Sequence, residues 1–218
     1  MPHWRAAIRA WRTYRGQPLR VRAFLAARLL VLPLGELAGE LARLDGRVLG
    51  VGSGHGLLAR YAVELNPAIE VTGLDVDAAR VAVAQATEIR SPRVRIRLQD
   101  VRALDEAGGF DAVAAIDLMH HVPQTDHEAV ARALARAVKP GGLLLVKDIA
   151  RTPRWKHAVN RIHDRVVAGE ATTATEPEAL AALFNQAGFT TERLERVAPL
   201  SPYPHFILRA RRDQPNAQ

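Results

Sequence analysis

Not one of the 218 residues is cysteine, which excludes disulfides, thiolate metal sites, iron–sulfur clusters and any thiol nucleophile. Long apolar runs are missing as well. The stretch from Phe24 to Leu34 is broken by Arg28 and Pro33, and no run approaches the roughly 18 apolar residues of a membrane span. The arginines ahead of it are therefore read as mature protein rather than a targeting signal, and a cytoplasmic location is expected. Lysine is scarce, with 3 Lys against 27 Arg; with so much alanine, that imbalance reads as the codon bias of a GC-rich bacterial genome. The histidines show no recognised metal-ligand spacing, so no metal is expected.

What is present belongs to a globular chain, with 48% hydrophobic and 24% charged residues. A length of 218 residues suits one domain with an elaboration better than two. The net charge of +7 is unevenly spread. Residues 1 to 47 hold nine Arg against Glu36, Glu40 and Asp45, a net +6, and the remaining 171 residues carry only +1. The basicity is thus a local patch. Helical spacing there puts Trp4, Ile8 and Trp11, with Ala7, on one face and Arg5, Arg9 and Arg12 on another. Leu25, Leu29, Leu30, Leu34, Leu37 and Leu41 continue at helical spacings, with a restart near Pro33. Residues 1–45 are read as a helical lid, 46–212 as the main domain and 213–218 as a tail. On that division, removing residues 1–20 is expected to leave the strand-built site standing.

From residue 47 onward, short β-rich apolar runs alternate with helical stretches, the pattern of a parallel sheet with crossover helices. Strands are expected at Arg47–Val51, Ile69–Leu74, Val94–Leu98, Phe110–Ile116 and Leu143–Lys147. Helices are expected at Leu57–Leu65, Ala78–Ile89, Asp126–Val138, Arg154–Val167 and Pro177–Ala187, the last with Thr175 as its N-cap. The turn Pro140, Gly141, Gly142 precedes the fifth strand. Phe189–Val197 and Pro204–Arg211 then form a terminal hairpin.

The first strand runs into Val51, Gly52, Ser53, Gly54, His55, Gly56 and then a helix. A glycine-rich turn at the carboxyl end of the first strand of an α/β unit is where such sheets bind nucleotides. Asp75 follows at the end of the second strand, placed to accept hydrogen bonds from two ribose hydroxyls. A dinucleotide fingerprint beginning at Gly52 requires glycine at position 57, which is Leu57, so a pyrophosphate ligand is disfavoured.

The run VLGVGSGHG followed by VTGLDVD resembles the class I S-adenosylmethionine-dependent methyltransferases. The similarity continues through LQDVRAL, FDAVAAIDLMHHVP and VKPGGLLLVKD, spanning residues 47–148. It implies an α/β, Rossmann-like, doubly wound sheet of seven strands with an antiparallel last strand, here carrying the N-terminal helical lid. It also implies S-adenosyl-L-methionine as cofactor. Carried over by position, Gly52, Ser53, Gly54 and Gly56 would flank the methionine part, Asp75 the ribose and Val76 the adenine face. Asp100 and Val101 would meet the adenine edge, and Asp117 would lie near the transferring methyl. One position departs from the family pattern, because the acidic residue usual two places before the first glycine is Gly50 here.

Methyl transfer is an in-line displacement with a neutral leaving group, so positioning and exclusion of water are the main tasks. A base is needed where the acceptor must lose a proton. Candidates are His120, His121, Asp148 and His157, with His163 beside them. Tyr203 and His205, set among prolines, could stand at the cavity mouth. The expected activity is methylation, at oxygen by preference, of a small or acyl-carrier-bound, partly apolar acceptor, with an acidic protein as a possible partner of the Arg patch. Two other readings stand beside it: a nucleic-acid methyltransferase or binding protein using the basic N-terminus, and a catalytically silent cofactor-binding module. Against the first, strand four carries IDLMHHVP in place of the Asn-Pro-Pro-Tyr/Phe type of sequence.

Overall fold

A computed structural model describes residues 2–105, 107–153 and 175–214. Helices α1 (His3–Arg12), α2 (Leu19–Val31) and α3 (Leu34–Leu41) come first. There follow β1 (Gly46–Val51), α4 (Leu57–Leu65), β2 (Ile69–Asp75), α5 (Ala78–Gln85), β3 (Val94–Leu98), β4 (Phe110–Ile116), α6 (His127–Ala137) and β5 (Val138–Ile149). The chain ends with α7 (Pro177–Gln186), β6 (Phe189–Arg196) and β7 (His205–Arg212). The seven strands form one sheet in the order β3-β2-β1-β4-β5-β7-β6. β1 to β5 are parallel, and β7 runs antiparallel to both of its neighbours. This is the seven-stranded, Rossmann-like architecture that the sequence pattern predicts.

Alternation along each strand divides the core in two. Val48, Val71, Ala112, Ala114 and Leu145 pack with α1, α3 and α4 on one face, and Leu49, Val51, Val113, Leu144 and Val146 pack with α6 and α7 on the other. β1 lies between β2 and β4, so the strand order reverses there and opens a crevice at the strands' carboxyl ends.

Four elements differ from the sequence expectation, each for a physical reason. Ala6, Ala7 and Ala10 are the buried residues of α1, while Trp4 and Ile8 are exposed; small side chains let α1 lie close along α4. Helix α5 stops at Gln85 because the Arg60 guanidinium takes the Ala84 carbonyl (2.8 Å) and the Thr87 hydroxyl (2.6 Å). The Pro140–Gly142 turn lies inside β5 as a bulge, since pairing with β4 passes from Phe110↔Val138 to Ala112↔Leu143. A Cβ on Gly142 would fall 2.7 Å from the Asp111 carbonyl oxygen, so only glycine fits. Helix α7 is preceded by Glu176 at the cap position with Pro177 as its first residue, and no side chain caps it. The expected helix Arg154–Val167 lies outside the described residues.

The N-terminal helices are tied to the sheet rather than resting on it. Glu40 of α3, almost fully buried, accepts from Arg193 and Arg209 of the terminal hairpin, both at 2.8 Å. His205 donates from Nε2 to the Val31 carbonyl at the end of α2 (3.2 Å).

Candidate cofactor and acceptor site

The crevice holds a cavity of about 510 Å³. The glycine loop forms its floor, with φ of 69° at Gly52, 52° at Gly54 and 77° at Gly56. These left-handed values are open to glycine and strained for residues with a Cβ. At Gly56 a Cβ would also fall 2.3 Å from Arg60 Nη1. The Ser53 amide donates to the Leu74 carbonyl (3.0 Å) and the Gly56 amide to the Ser53 carbonyl (2.8 Å). Leu57 is buried at the start of α4.

Asp75 has two tasks. Its Oδ2 accepts the Gly54 amide at 2.6 Å and its Oδ1 accepts the Asp77 amide at 2.9 Å, fixing the loop while its remaining lone pairs border the cavity. Val76 is 70% exposed at the lip, an apolar surface suited to the flat face of a base. Asp100 caps the short turn Val101–Ala103 and is clasped by the Arg102 guanidinium (2.6 to 3.1 Å), which holds its carboxyl below the usual range. Part of its hydrogen-bonding capacity is therefore taken by Arg102. At Gly50 a Cβ would fall 2.9 Å from Ser53 Oγ, and that hydroxyl donates to the Gly50 carbonyl (3.0 Å). Ser53 thus occupies the space where the family's acidic side chain would begin.

The far wall is built by Asp117, expected from the sequence, and by two cations that sequence reasoning did not place beside it. Asp117, in the left-handed region at φ 54°, accepts from Arg28 of α2 at 3.2 Å and from the Lys147 ammonium of β5. Burial alone would raise the Asp117 pKa, but Lys147 and Arg28 pull it well below the usual carboxylate range. Lys147 itself is only 1% exposed. The one sequence signal was a Lys-Asp pair ending an otherwise apolar strand. Adjacent strand residues point to opposite faces, so Lys147 serves Asp117 while Asp148 serves the other side of the sheet.

There Asp148 accepts from the Met119 amide (2.8 Å) and pairs with His120 Nδ1. Both members are buried. The His120 and His121 rings pack at 4.1 Å between centroids, brought together by the 3₁₀ turn Met119–His121. His121 lines the cavity. His127, also missed, bonds through Nε2 to the carbonyls of Met119 (3.1 Å) and Val122 (3.0 Å) and fastens this turn to α6. His157 and His163 lie outside the described residues. Among the described residues, no group of three or more His, Asp or Glu could hold a metal ion.

Helix α2 contributes to the same cavity. Phe24 and Arg28 line it, and Phe24 meets the His55 ring at 5.6 Å. Tyr14, fully buried, donates its hydroxyl to the His55 carbonyl (2.6 Å) and accepts from Arg60 (3.1 Å). Burial pushes the Tyr14 pKa up to about 12 against the opposing pull of Arg60. The glycine loop is therefore braced by Tyr14, just past the end of α1, and by Arg60 of α4.

A family model described as a methyltransferase domain matches residues 19–194. The chain belongs to that family. Its relatives include the ubiquinone biosynthesis O-methyltransferase of Xanthomonas oryzae pv. oryzae, 41% identical over 118 residues, covering 51% of this chain and 48% of the relative. The Xanthomonas campestris pv. campestris protein of the same name is 37% identical over 123 residues, covering 55% and 50%. The chain spans about half the length of these curated relatives. Among solved structures, the S-adenosylmethionine-dependent methyltransferase SibL superposes with TM-score 0.74 at 24% identity, covering 90% of this chain and 58% of that one. The [4+2]-cyclase SpnF superposes with TM-score 0.68 at 22% identity, covering 84% and 81%. These superpositions establish the fold, and the cyclase illustrates that fold alone does not fix chemistry. S-adenosylmethionine is the cofactor of this methyltransferase type.

Proposed function

We propose that this methyltransferase methylates a hydroxyl oxygen of a small, partly apolar acceptor. The observation that carries the reading is the histidine pair at the end of β4: His121 on the cavity wall, backed by His120, which Asp148 anchors. A hydroxyl must lose its proton as the oxygen attacks, and a neutral imidazole held in one orientation is the usual recipient. The names of the Xanthomonas relatives support oxygen as the atom methylated.

S-adenosylmethionine, when bound, supplies an electrophilic methyl on a sulfonium and leaves as a neutral thioether. The rest of the work falls to the chain. The Gly52–Gly56 loop and Asp75 would hold its nucleoside and methionine parts, with Val76, Asp100 and Val101 supplying contacts for the base. Arg28 and Asp117 present opposite charges 3.2 Å apart, matching the carboxylate and ammonium of an amino acid. The apolar side chains of Phe24 and Leu25, both lining the cavity, exclude water and favour an acceptor with apolar character. His121 would accept the proton that the acceptor hydroxyl loses as its oxygen is methylated. A carrier-borne acceptor is compatible with the same geometry.

The test is a pH–rate profile with a catechol such as 3,4-dihydroxybenzoate as acceptor. His121→Gln should lower kcat about 10²-fold to 10⁴-fold and abolish the acidic limb, with S-adenosylhomocysteine affinity unchanged. An unchanged profile would remove the base assignment.

A further inference from the structure

Among the described residues, the exposed apolar side chains are concentrated on α1 and α2. Of the ten large hydrophobic residues that stand exposed there, six fall in these two helices: Trp4, Ile8, Leu19, Leu30, Val31 and Phe24, the last also lining the cavity. Leu19 is 78% and Leu30 87% exposed. They are ordered by helical geometry. Trp4 and Ile8 lie one turn apart on the side of α1 away from its buried alanines. On α2 the positions Leu19, Ala23, Ala27 and Leu30 recur at intervals of four, four and three, all exposed, forming an apolar stripe along the helix.

Charge on α1 and α2 has a single sign. Residues 2–35 contain seven Arg and neither Asp nor Glu. Arg5, Arg9, Arg12, Arg15 and Arg20 are all exposed, and Arg5 lies over the Trp4 ring at 5.1 Å. An apolar stripe beside arginines and an amphipathic tryptophan is the composition that rests in the headgroup region of a bilayer, and an anionic surface attracts such arginines. An acidic protein would answer the charge but would leave an isolated leucine stripe along α2 without a partner, so lipid fits both features.

We propose that the outer faces of α1 and α2 form a docking surface for anionic phospholipid membranes. Docking is peripheral: among the described residues no helix is long and apolar enough to cross a membrane. The inner face of the same α2 sends Phe24, Leu25 and Arg28 into the cavity. One helix thus touches lipid on one side and the methyl-transfer site on the other. The inference stands on exposure and charge, and does not depend on which atom is methylated.

Co-sedimentation of the full chain with vesicles tests it, comparing phosphatidylglycerol/phosphatidylcholine mixtures with phosphatidylcholine alone. The protein should pellet with the anionic vesicles at least tenfold more strongly than with the neutral ones, and added salt should weaken the association. The combined variant Trp4→Ser, Leu19→Ser, Leu30→Ser should bind the anionic vesicles at least tenfold more weakly. Because these side chains are exposed, its thermal melt and S-adenosylhomocysteine affinity should match the parent. Failure to pellet with anionic vesicles overturns the proposal, as does equal pelleting of the triple variant. Masking of the same face by a concentration-dependent dimer, or binding to an acidic protein with no vesicle binding, also overturns it.

Discussion

The Arg28 guanidinium of the second helix lies 3.2 Å from the Asp117 carboxylate, 89 positions later in the chain. The contact joins the N-terminal cap to the carboxyl end of β4, where Asp117 also accepts a hydrogen bond from the Lys147 ammonium. The second helix and the ends of β4 and β5 therefore form one electrostatic unit.

Asp117→Ala should be strongly destabilising, because it leaves the Lys147 ammonium buried without its counter-ion. A loss of about 3 to 5 kcal/mol in urea unfolding is expected. Arg28→Gln, at a partly exposed position, should cost under about 1 kcal/mol while weakening S-adenosylhomocysteine binding. Equal stability losses for the two variants would contradict the order of burial.

His205 supplies a pH dependence. Burial, aided by Lys147 and opposed by Asp117, the Val31 carbonyl and Asp148, lowers its pKa to about 3. Above about pH 6.5 the folded and unfolded chains both carry it neutral, and its contribution is complete. Between about pH 6.5 and 3 the unfolded chain takes up a proton that the folded chain refuses, so stability falls by about 1.4 kcal/mol per pH unit from this group. Denaturant melts at pH 7.5, 6.5 and 5.5 should show a steeper acid loss for the parent than for His205→Phe. Parallel slopes would remove His205 as the cause.

Tyr14→Phe should loosen the glycine loop from below. The loss of its bonds to the His55 carbonyl and Arg60 should cost about 1 to 3 kcal/mol and lower cofactor affinity, although Tyr14 is not among the cavity-lining residues. The same contact revises the expectation that residues 1–20 can be removed with the cofactor site left standing. Truncation should reduce thermal stability and S-adenosylhomocysteine affinity together, read by melting and calorimetry. A truncated chain with full affinity would show that the brace is dispensable.

Local pattern was enough for the alternation of strands and helices, the glycine loop and Asp75, because periodicity and turn chemistry are written within a few residues. The charged wall was not legible. Arg28 reads as an interruption of an apolar run and Lys147 as a strand-end polar residue until β4 and β5 pair and α2 folds across them. The apolar face of α1 is buried only in part: Ala7 and Trp11 pack inward, while Trp4 and Ile8 stand exposed. Hydrophobic size favoured Trp4 and Ile8, whereas the close approach of α4 favoured Ala6 and Ala10. Ser53 standing in the space above Gly50 likewise depends on a loop conformation that composition does not disclose.

The central claim is that the Gly52–Gly56 loop and Asp75 form a site for S-adenosylmethionine and its thioether product. Titration calorimetry of S-adenosylhomocysteine and NADH into the parent protein and Asp75→Ala tests it most directly. The account predicts binding of S-adenosylhomocysteine to the parent and none of NADH. It also predicts a loss of about 1.5 to 3 kcal/mol in Asp75→Ala, roughly 10-fold to 150-fold in Kd. Binding of NADH with no response to S-adenosylhomocysteine, or the same S-adenosylhomocysteine affinity in Asp75→Ala as in the parent, would contradict it.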